Sequence, residues 1–500
     1  MKKMKKNKNN SIKAYTDLLR TEGLLVSENV IDQEKPVTDL SFDSRTVCPG
    51  TLFVCKGAGF RESYISMAKE KGAAAFISEK KYDVDDLILV NDIRRAMAVL
   101  SAEFYDRPWE KFRLVGLTGT KGKSTTLLYV VNIMEHAAVC GKDKFGYIST
   151  IDTYDGINRF ESHLTTPEAI ELGLRLSNIA ESGLYAAGME VSSQALKFDR
   201  TYGVKFDIGC FTNFGLDHIG DTEHPDIEDY LQSKLKIFDQ CKTAVINLDS
   251  DRIDDILSAA KNSRSVEKII TYSSSDRLAD YVFSNVRKEG GYTVFDLSGI
   301  GEIKLGMPGL FNAENAVCAA IITTLLGASP EEIKTGLIDA RAAGRMEVFE
   351  NKERDIVVIS DYAHNALSFE RLFSSVKEEY PGYRIEAVFG AAGGKGYSRR
   401  EDLPRVAAAY ADFVWVTEED PGEEDPAKIS EQIYANLVKY GGKGVIDLDR
   451  ERTITNAIKK APAKTVVLLI AKGRESYMHR GTEYVPIKSD SELAEELINL

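Results

Sequence analysis

Cysteine is scarce and scattered. The 500 residues hold six, Cys48, Cys55, Cys140, Cys210, Cys241 and Cys318. No two stand in CxxC spacing or cluster with histidine, which excludes a zinc ribbon and a disulfide framework and points to a reducing, cytoplasmic setting. Positive charge is short as well. The 64 Lys+Arg against 77 Asp+Glu leave a net charge of −13, a balance that argues against a general nucleic-acid binder or a membrane-surface protein. No apolar run approaches the length of a membrane span; the longest clear one is 466–471. The basic start, 1–10, has the charge of a signal n-region, but no apolar stretch follows it, so it reads as a solvated tail. Internal repeats and low-complexity tracts are lacking. What remains is globular composition, 43% hydrophobic and 28% charged. At roughly 150 residues per domain, the length suggests three domains, each able to bury its own core.

The pattern is α/β throughout, with domains expected at 1–108, 109–341 and 342–500. In the first, 53–55 and 73–78 read as strands, and Arg107-Pro108 breaks the pattern. In the second, short apolar strands at 114–117, 187–191, 206–212 and 244–248 alternate with helices, the signature of a doubly wound parallel sheet. Helices over 312–326 and from Pro330 precede the second boundary, set just before Gly344-Arg345. The third domain repeats the alternation with strands at 356–360, 385–389, 413–417, 445–448 and 466–471, a Rossmann-like arrangement. Asp361, Lys395, Glu419, Asp420, Lys472 and Glu475 all follow the carboxyl ends of these strands, where open α/β sheets bind ligands.

Two features carry chemistry. Residues 118–125 read TGTKGKST between a strand and a helix running from 124 to about 136. Gly119, Thr120, Lys121, Gly122, Lys123, Ser124 and Thr125 thus form a P-loop: glycines let the backbone wrap a phosphate at a helix N-terminus, Lys123 reaches the β/γ-phosphates, and the Ser124 hydroxyl can ligate Mg²⁺. The strict GxxxxGK[ST] pattern is not met, because its first glycine would fall at Leu117. The loop specifies ATP or GTP and leaves its use open. The second feature is Lys234. A helix expected over 226–240 places Ile227, Tyr230, Leu231 and Phe238 on one face, with Lys234 inside that stripe and Lys236 opposite. An ammonium there is costly unless its tip snorkels to water.

The short loop TGTxGKST resembles the ATP loop of the Mur ligases, a family related to folylpolyglutamate synthetase. The resemblance covers almost the whole chain: Asp43-Ser44-Arg45, Leu164-Thr165-Thr166-Pro167, Met189-Glu190-Val191-Ser192-Ser193, Thr212-Asn213 with Asp217-His218, Asp361-Tyr362-Ala363-His364, and Lys472-Gly473 with Glu475 stand in the order of the branch that extends UDP-N-acetylmuramoyl-dipeptides. It implies a ligase of peptidoglycan precursor synthesis, in which ATP turns a carboxylate into an acyl phosphate that an amino-acid amine then displaces. It also implies catalytic roles for Lys123, Glu190, His218 and Lys234. The metal ligands would be Ser124, Glu190, His218 and Lys234, the last carbamylated by CO₂ into an anionic ligand. Asn312 and Asn315 would approach the adenine, although helix-start asparagines are by default caps. Arg345 would reach the phosphates, and Asp361 and His364 the ribose. Ser44, Arg45, Thr165, Thr166, Ser192 and Arg200 would hold UDP-MurNAc-dipeptide. Gln194 and Phe198 depart from that branch, which usually carries His and a polar residue there.

The amino acid to be added is read at 419–425. Members that add meso-diaminopimelate carry Asp-Asn-Pro-Arg, whose arginine pairs with the extra carboxylate. Here the run is Glu419-Asp420-Pro421-Gly422, followed by Glu423, Glu424 and Asp425. The arginine is missing and the pocket mouth is acidic, which suits a side-chain ammonium. Lys395 stands where an arginine usually holds the α-carboxylate. Lys395 with Ser398-Arg399-Arg400 resembles lysine-adding members, with Glu475 as partner of the distal amine. The outer residues 423–425 read as a solvated acidic loop. The expectation is L-lysine, with diaminopimelate or ornithine as alternatives. A folylpolyglutamate synthetase is disfavoured by the TTP and MEVSS runs, and a non-catalytic nucleotide-binding scaffold by the intact Lys123, Glu190, His218 and Lys234. The expected partners are ATP, Mg²⁺ and the two substrates, with no nucleic acid or membrane, in a cytoplasmic monomer.

Overall fold

The computed structural model describes residues 11–57, 59–162, 164–215, 219, 224–307, 309, 312–340, 346–394, 396–481 and 483–499. The chain divides into two compact units: Met1–Ser284 with Asp296–Ile303 and Asn315–Leu337, and Asn285–Phe295 with Lys304–Glu314 and Ile338–Leu500. Among the described residues the strands form sheets of five, eleven and six strands and a two-stranded ribbon.

The five-stranded sheet contains β1 (Leu25–Asn29), β2 (Asp39–Ser41), β3 (Thr51–Val54), β4 (Ala75–Ser78) and β5 (Leu87–Val90) in the order β1-β5-β4-β3-β2. Only β1 is antiparallel to its neighbour. Every residue of β3 and β4 is buried, as expected where helices cover both faces of a parallel sheet. Helix Ile93–Phe104 is started by Asp92, whose carboxylate accepts from the Arg94 and Arg95 N–H groups.

The large sheet contains β6 (Arg113–Thr118), β7 (Phe145–Ile148), β8 (Asp152–Tyr154), β9 (Arg159–Glu161), β10 (Ala186–Glu190), β11 (Phe206–Phe211), β12 (Cys241–Asn247), β13 (Lys268–Ser273), β14 (Tyr281–Glu289), β15 (Tyr292–Leu297) and β16 (Gly301–Leu305). Their order is β16-β15-β14-β13-β12-β11-β6-β10-β7-β8-β9. Strand β6 is paired in parallel on both sides, by β10 and β11, so the loop leaving it starts from the middle of the sheet. Gly116 is needed there because a Cβ would lie 2.9 Å from the Phe206 ring. The helix expected over 226–240 stops short: Ile227–Leu235 is α-helical and Lys236–Gln240 is a 3₁₀ turn.

The six-stranded sheet contains β17 (Glu347–Asn351), β18 (Ile356–Asp361), β19 (Arg384–Phe389), β20 (Phe413–Val416), β21 (Gly444–Ile446) and β22 (Thr465–Ile470) in the order β17-β18-β22-β19-β20-β21, parallel except for β17. Strands β18 and β22 are buried along their whole length. The ribbon β23 (Tyr477–Arg480) and β24 (Glu483–Pro486) follows. The sheets accord with the α/β, multi-domain class expected from the pattern.

Candidate active site

The phosphate loop is shaped by contacts to the end of β11. Thr120 donates its N–H to the Asn213 carbonyl (2.9 Å) and Lys121 its N–H to Asn213 Oδ1 (2.8 Å), while the Thr212 hydroxyl donates to the Lys121 carbonyl (2.7 Å). Gly119 at φ +142° and Gly122 at φ +85° take left-handed conformations. A Cβ on Gly119 would lie 2.0 Å from Thr212 Oγ1, and one on Gly122 2.1 Å from Asn315 Oδ1. Asn315 therefore stands over the loop rather than merely starting its helix. Lys123, Ser124 and Thr125 open helix Lys123–His136, whose first N–H groups have no intrahelical acceptors. Such a cradle fits a phosphate.

Two lysines converge on one carbonyl of this loop. Lys123 Nζ donates to the Gly119 oxygen at 2.8 Å, and Lys234 Nζ donates to the same oxygen at 2.9 Å. Lys234 is 1% exposed, so its tip does not snorkel to water, and it lies 4.5 Å over the Tyr230 ring. Tyr230 donates in turn to Thr120 Oγ1 (3.3 Å).

Glu190 ends β10 beside this loop and is 1% exposed. Thr150, which the sequence reading passed over, donates its N–H (2.8 Å) and its hydroxyl (3.1 Å) to the Glu190 carboxylate. The Thr150 hydroxyl also lies 3.1 Å from Thr165 Oγ1. Thr166 donates its hydroxyl to the Glu190 carbonyl (2.9 Å), accepts from the Ser192 N–H (3.0 Å), and offers its own carbonyl to Arg200 Nη1 (3.2 Å). Thr165, Thr166, Ser192 and Arg200 are thus gathered around the end of β10. Arg200 also pairs with Glu168 (3.0 Å), which pairs with Lys56. Phe198 carries the Arg94 guanidinium over its ring at 4.1 Å. In the first sheet's loop Ser44 is buried, while Arg45 is exposed and held by Asp43. His224, also unforeseen, is buried between Asp229 (2.6 Å) and Ser193 (2.9 Å).

In the second unit Asp361 accepts from the Met346 N–H (2.9 Å) and the Ala363 N–H (2.7 Å), fixing the turn after β18. His364 Nδ1 lies 2.9 Å from the Tyr362 carbonyl. Asn312 is the buried first residue of helix Asn312–Leu326. His218, Arg345 and Lys395 lie outside the described residues.

The acidic run is organised by a cation that the sequence reading left without a role. Lys472, 1% exposed, places Nζ 2.9 Å from Asp420 and 2.5 Å from Glu475. Burial alone would lower its pKa, but the two carboxylates outweigh it and hold the ammonium above its ordinary value. Asp420 and Glu475 therefore already share an ammonium. Glu419 differs. It is 9% exposed, and among the described residues no hydrogen bond reaches its carboxylate. Burial first, and then the Asp420 charge, push its pKa up. Glu424 and Asp425 are not a free acidic loop. Glu424 pairs with buried Arg400 (2.9 Å) and accepts from the Gly394 N–H (2.5 Å), and Asp425 caps helix Pro426–Lys439. Arg400 also donates to Gln432 (3.0 Å), so both its Nη groups are engaged, while its buried Nε has no partner among the described residues. Gly422, at φ +58°, donates its N–H to the His479 carbonyl (3.0 Å).

Comparison with known proteins agrees along the chain. The model of the Mur ligase middle domain matches residues 117–323, and that of the Mur ligase glutamate ligase domain matches 344–473. The UDP-N-acetylmuramyl-tripeptide synthetase of Ligilactobacillus salivarius is 35% identical over 96% of this chain and 98% of its own. The UDP-N-acetylmuramoyl-L-alanyl-D-glutamate–L-lysine ligase of Enterococcus faecalis is 37% identical over 93% and 92%. A solved structure of a UDP-N-acetylmuramoyl-L-alanyl-D-glutamate–2,6-diaminopimelate ligase aligns with a TM-score of 0.63 at 25% identity, covering 94% of this chain and 96% of that one. With the phosphate cradle and the charged strand ends, these matches define an ATP-dependent amide-forming ligase. The chain belongs to the Mur ligase family.

Proposed function

We propose that the protein joins L-lysine to UDP-N-acetylmuramoyl-L-alanyl-D-glutamate at the expense of ATP. The observation that carries the choice of lysine is Glu419: a buried carboxylate that no hydrogen bond reaches among the described residues, next to Asp420, which shares the Lys472 ammonium with Glu475. An entering side-chain ammonium satisfies Glu419, because Arg399, Lys472 and Arg450 only partly offset its burial and the Asp420 charge. Both Nη groups of Arg400 are bound to Glu424 and Gln432, which leaves only its buried Nε without a partner among the described residues and no two-toothed face for a carboxylate. The names of the relatives from Enterococcus faecalis and Ligilactobacillus salivarius support the same reading.

In this reading the domains are 1–108 for the sugar nucleotide, 109–341 for ATP and 342–500 for the amino acid. Gly119 to Thr125 hold the ATP phosphates, and Lys123 neutralises the charge that gathers as the dipeptide carboxylate attacks the γ-phosphate. Loss of ADP leaves an acyl phosphate, from which the lysine amine displaces phosphate. Asn312, Asn315, Arg345, Asp361 and His364 hold the nucleoside and phosphates. Ser44, Arg45, Thr165, Thr166, Ser192 and Arg200 hold the muramoyl substrate. Lys395, Glu419, Asp420, Pro421 and Glu475 surround the incoming amino acid.

Among the described residues no group of three or more His, Cys, Asp and Glu side chains is placed to hold a metal by itself. The donor set nevertheless fits Mg²⁺ if Lys234 is a carbamate: Ser124 offers a hydroxyl, Glu190 a buried carboxylate and Lys234 two further oxygens, with His218 as the fourth residue. When bound, the ion neutralises phosphate charge. Among the described residues no helix is long and apolar enough to cross a membrane, and a cytoplasmic monomer acting on small molecules is the reading adopted.

The test is phosphate release by the purified protein with ATP, Mg²⁺, UDP-MurNAc-L-Ala-D-Glu and a panel of L-lysine, L-ornithine and meso-diaminopimelate. Release that needs the dipeptide substrate and is fastest with L-lysine supports the proposal. Release with diaminopimelate alone would replace lysine, and none with any of them would overturn it.

A further inference from the structure

Lys56 belongs to none of the motifs discussed so far, but its largely buried side chain lies beside one of them. It follows β3, and its ammonium meets the Glu168 carboxylate across 112 positions of sequence. Glu168 stands at the start of helix Ala169–Glu181 but makes no side-chain capping bond there. Its other partner is Arg200, at 3.0 Å. Arg94, stacked on Phe198, adds its charge to both Lys56 and Glu168. Two cations therefore contact one carboxylate, and the charge of a third, Arg94, acts on it without contact. Asp199, the neighbouring acid, belongs to Arg95 at 3.2 Å.

The surplus has consequences for each member. Burial favours a neutral Glu168, yet Lys56, Arg200 and Arg94 together hold its pKa below the ordinary value. Burial lowers the pKa of Lys56, Glu168 raises it, and Arg94 and Arg200 lower it further. Side chains of Lys56, Glu168 and Arg200 are only 10%, 14% and 13% exposed, so water screens little of this charge. Arg200 Nε is buried without a hydrogen-bond partner among the described residues. Buried donors are normally satisfied, and an orphan calls for an explanation. An oxyanion placed here would accept that N–H and cancel the excess positive charge. The cluster also lies close to the reacting end of the site, because Arg200 donates to the Thr166 carbonyl and the Thr166 hydroxyl donates to the Glu190 carbonyl.

We propose that Lys56 and Arg94 complete, with Arg200, an oxyanion site for the sugar-nucleotide dipeptide, Glu168 being the internal counter-ion that holds the cations in place. This deepens the function proposed above and rests on it. The oxyanion comes either from the free α-carboxylate of the D-glutamyl residue or from the nucleotide diphosphate; both present charged oxygens of the same hydrogen-bonding kind.

The test is steady-state kinetics of Lys56→Gln, Lys56→Met and Lys56→Arg with melting temperatures recorded alongside. Lys56→Gln keeps a hydrogen bond to Glu168 while removing the charge, so it separates anion binding from simple clamping. The expected result is a KM for UDP-MurNAc-L-Ala-D-Glu raised about tenfold or more in Lys56→Gln and Lys56→Met. The KM for ATP should stay within about twofold, and Lys56→Arg should return most of the loss. A wild-type KM for the dipeptide substrate in Lys56→Gln overturns the proposal. The two sources separate with UDP-MurNAc-L-Ala-D-isoglutamine, which lacks the α-carboxylate. If that carboxylate is the ligand, wild type and Lys56→Gln become equal on it; if the diphosphate is, the gap persists. Failure of wild type to turn over either substrate would instead strike the function on which the site rests.

Discussion

Glu419→Gln should make the protein more stable and a worse enzyme. In the folded state the Glu419 carboxylate is buried, accepts no hydrogen bond among the described residues and stands next to Asp420. Its pKa is therefore higher folded than unfolded. A carboxyl with a raised folded pKa costs nothing below its unfolded value, near 4.3. The cost appears as pH rises above that value and is complete once the folded group has ionised. The amide has the same shape and no charge, so it removes that cost while leaving a polar group to bury. The net gain is therefore expected at pH 7–8 and should vanish toward pH 4. For a unit of this size each kcal/mol moves a melting transition by about 2–4 °C. The same change deprives the lysine ammonium of its partner, and kcat/KM for L-lysine should fall roughly a hundredfold or more. Differential scanning calorimetry at pH 4.5 and 7.5 and phosphate-release kinetics read both effects. A Glu419→Gln protein that melts lower at pH 7.5, or that uses lysine normally, would refute the reasoning.

Three further outcomes concern the phosphate loop and Lys234. Lys123→Ala should abolish phosphate release while leaving a cooperative thermal unfolding transition; residual turnover above about a hundredth of wild type would contradict its role at the phosphates. Lys234→Ala should be nearly inactive and partly rescued by acetate if the native group is a carbamate, whereas rescue by methylamine in place of acetate would identify an ammonium. Gly119→Ala should destabilise by about 2 kcal/mol or more, since its Cβ would meet Thr212 Oγ1 at 2.0 Å in a left-handed conformation; chemical denaturation checks this, and removing the obstacle in Gly119→Ala/Thr212→Ala should return part of the loss.

Regular elements built on apolar runs were legible from the residues alone. The strand expected at 466–471 is β22 at Thr465–Ile470, and the helix over 312–326 has those bounds. Such segments are buried on all sides, so composition betrays them. Strand β14 was not seen, because its exposure varies residue by residue and no continuous apolar run marks it. The phosphate loop was readable because local chain geometry does the work there. The pairing of Lys56 with Glu168 was not, since nothing local links residues 112 positions apart. Nor was the sharing of Lys472 by Asp420 and Glu475, where the first carboxylate is 52 positions away. Charge arrangement in a site depends on which strand ends the sheet order makes neighbours, and that order is a property of the whole fold. Lys234 lies between these cases: its helical phase put it among apolar residues, and the fold buries it.

The most direct measurement offers the protein equimolar L-lysine and meso-diaminopimelate together with ATP, Mg²⁺ and UDP-MurNAc-L-Ala-D-Glu, and identifies the product by mass spectrometry. The pocket described here, with a buried Glu419 carboxylate and both Nη groups of Arg400 engaged, predicts the lysyl tripeptide in excess by roughly a hundredfold or more. A product dominated by the diaminopimelyl tripeptide would contradict it.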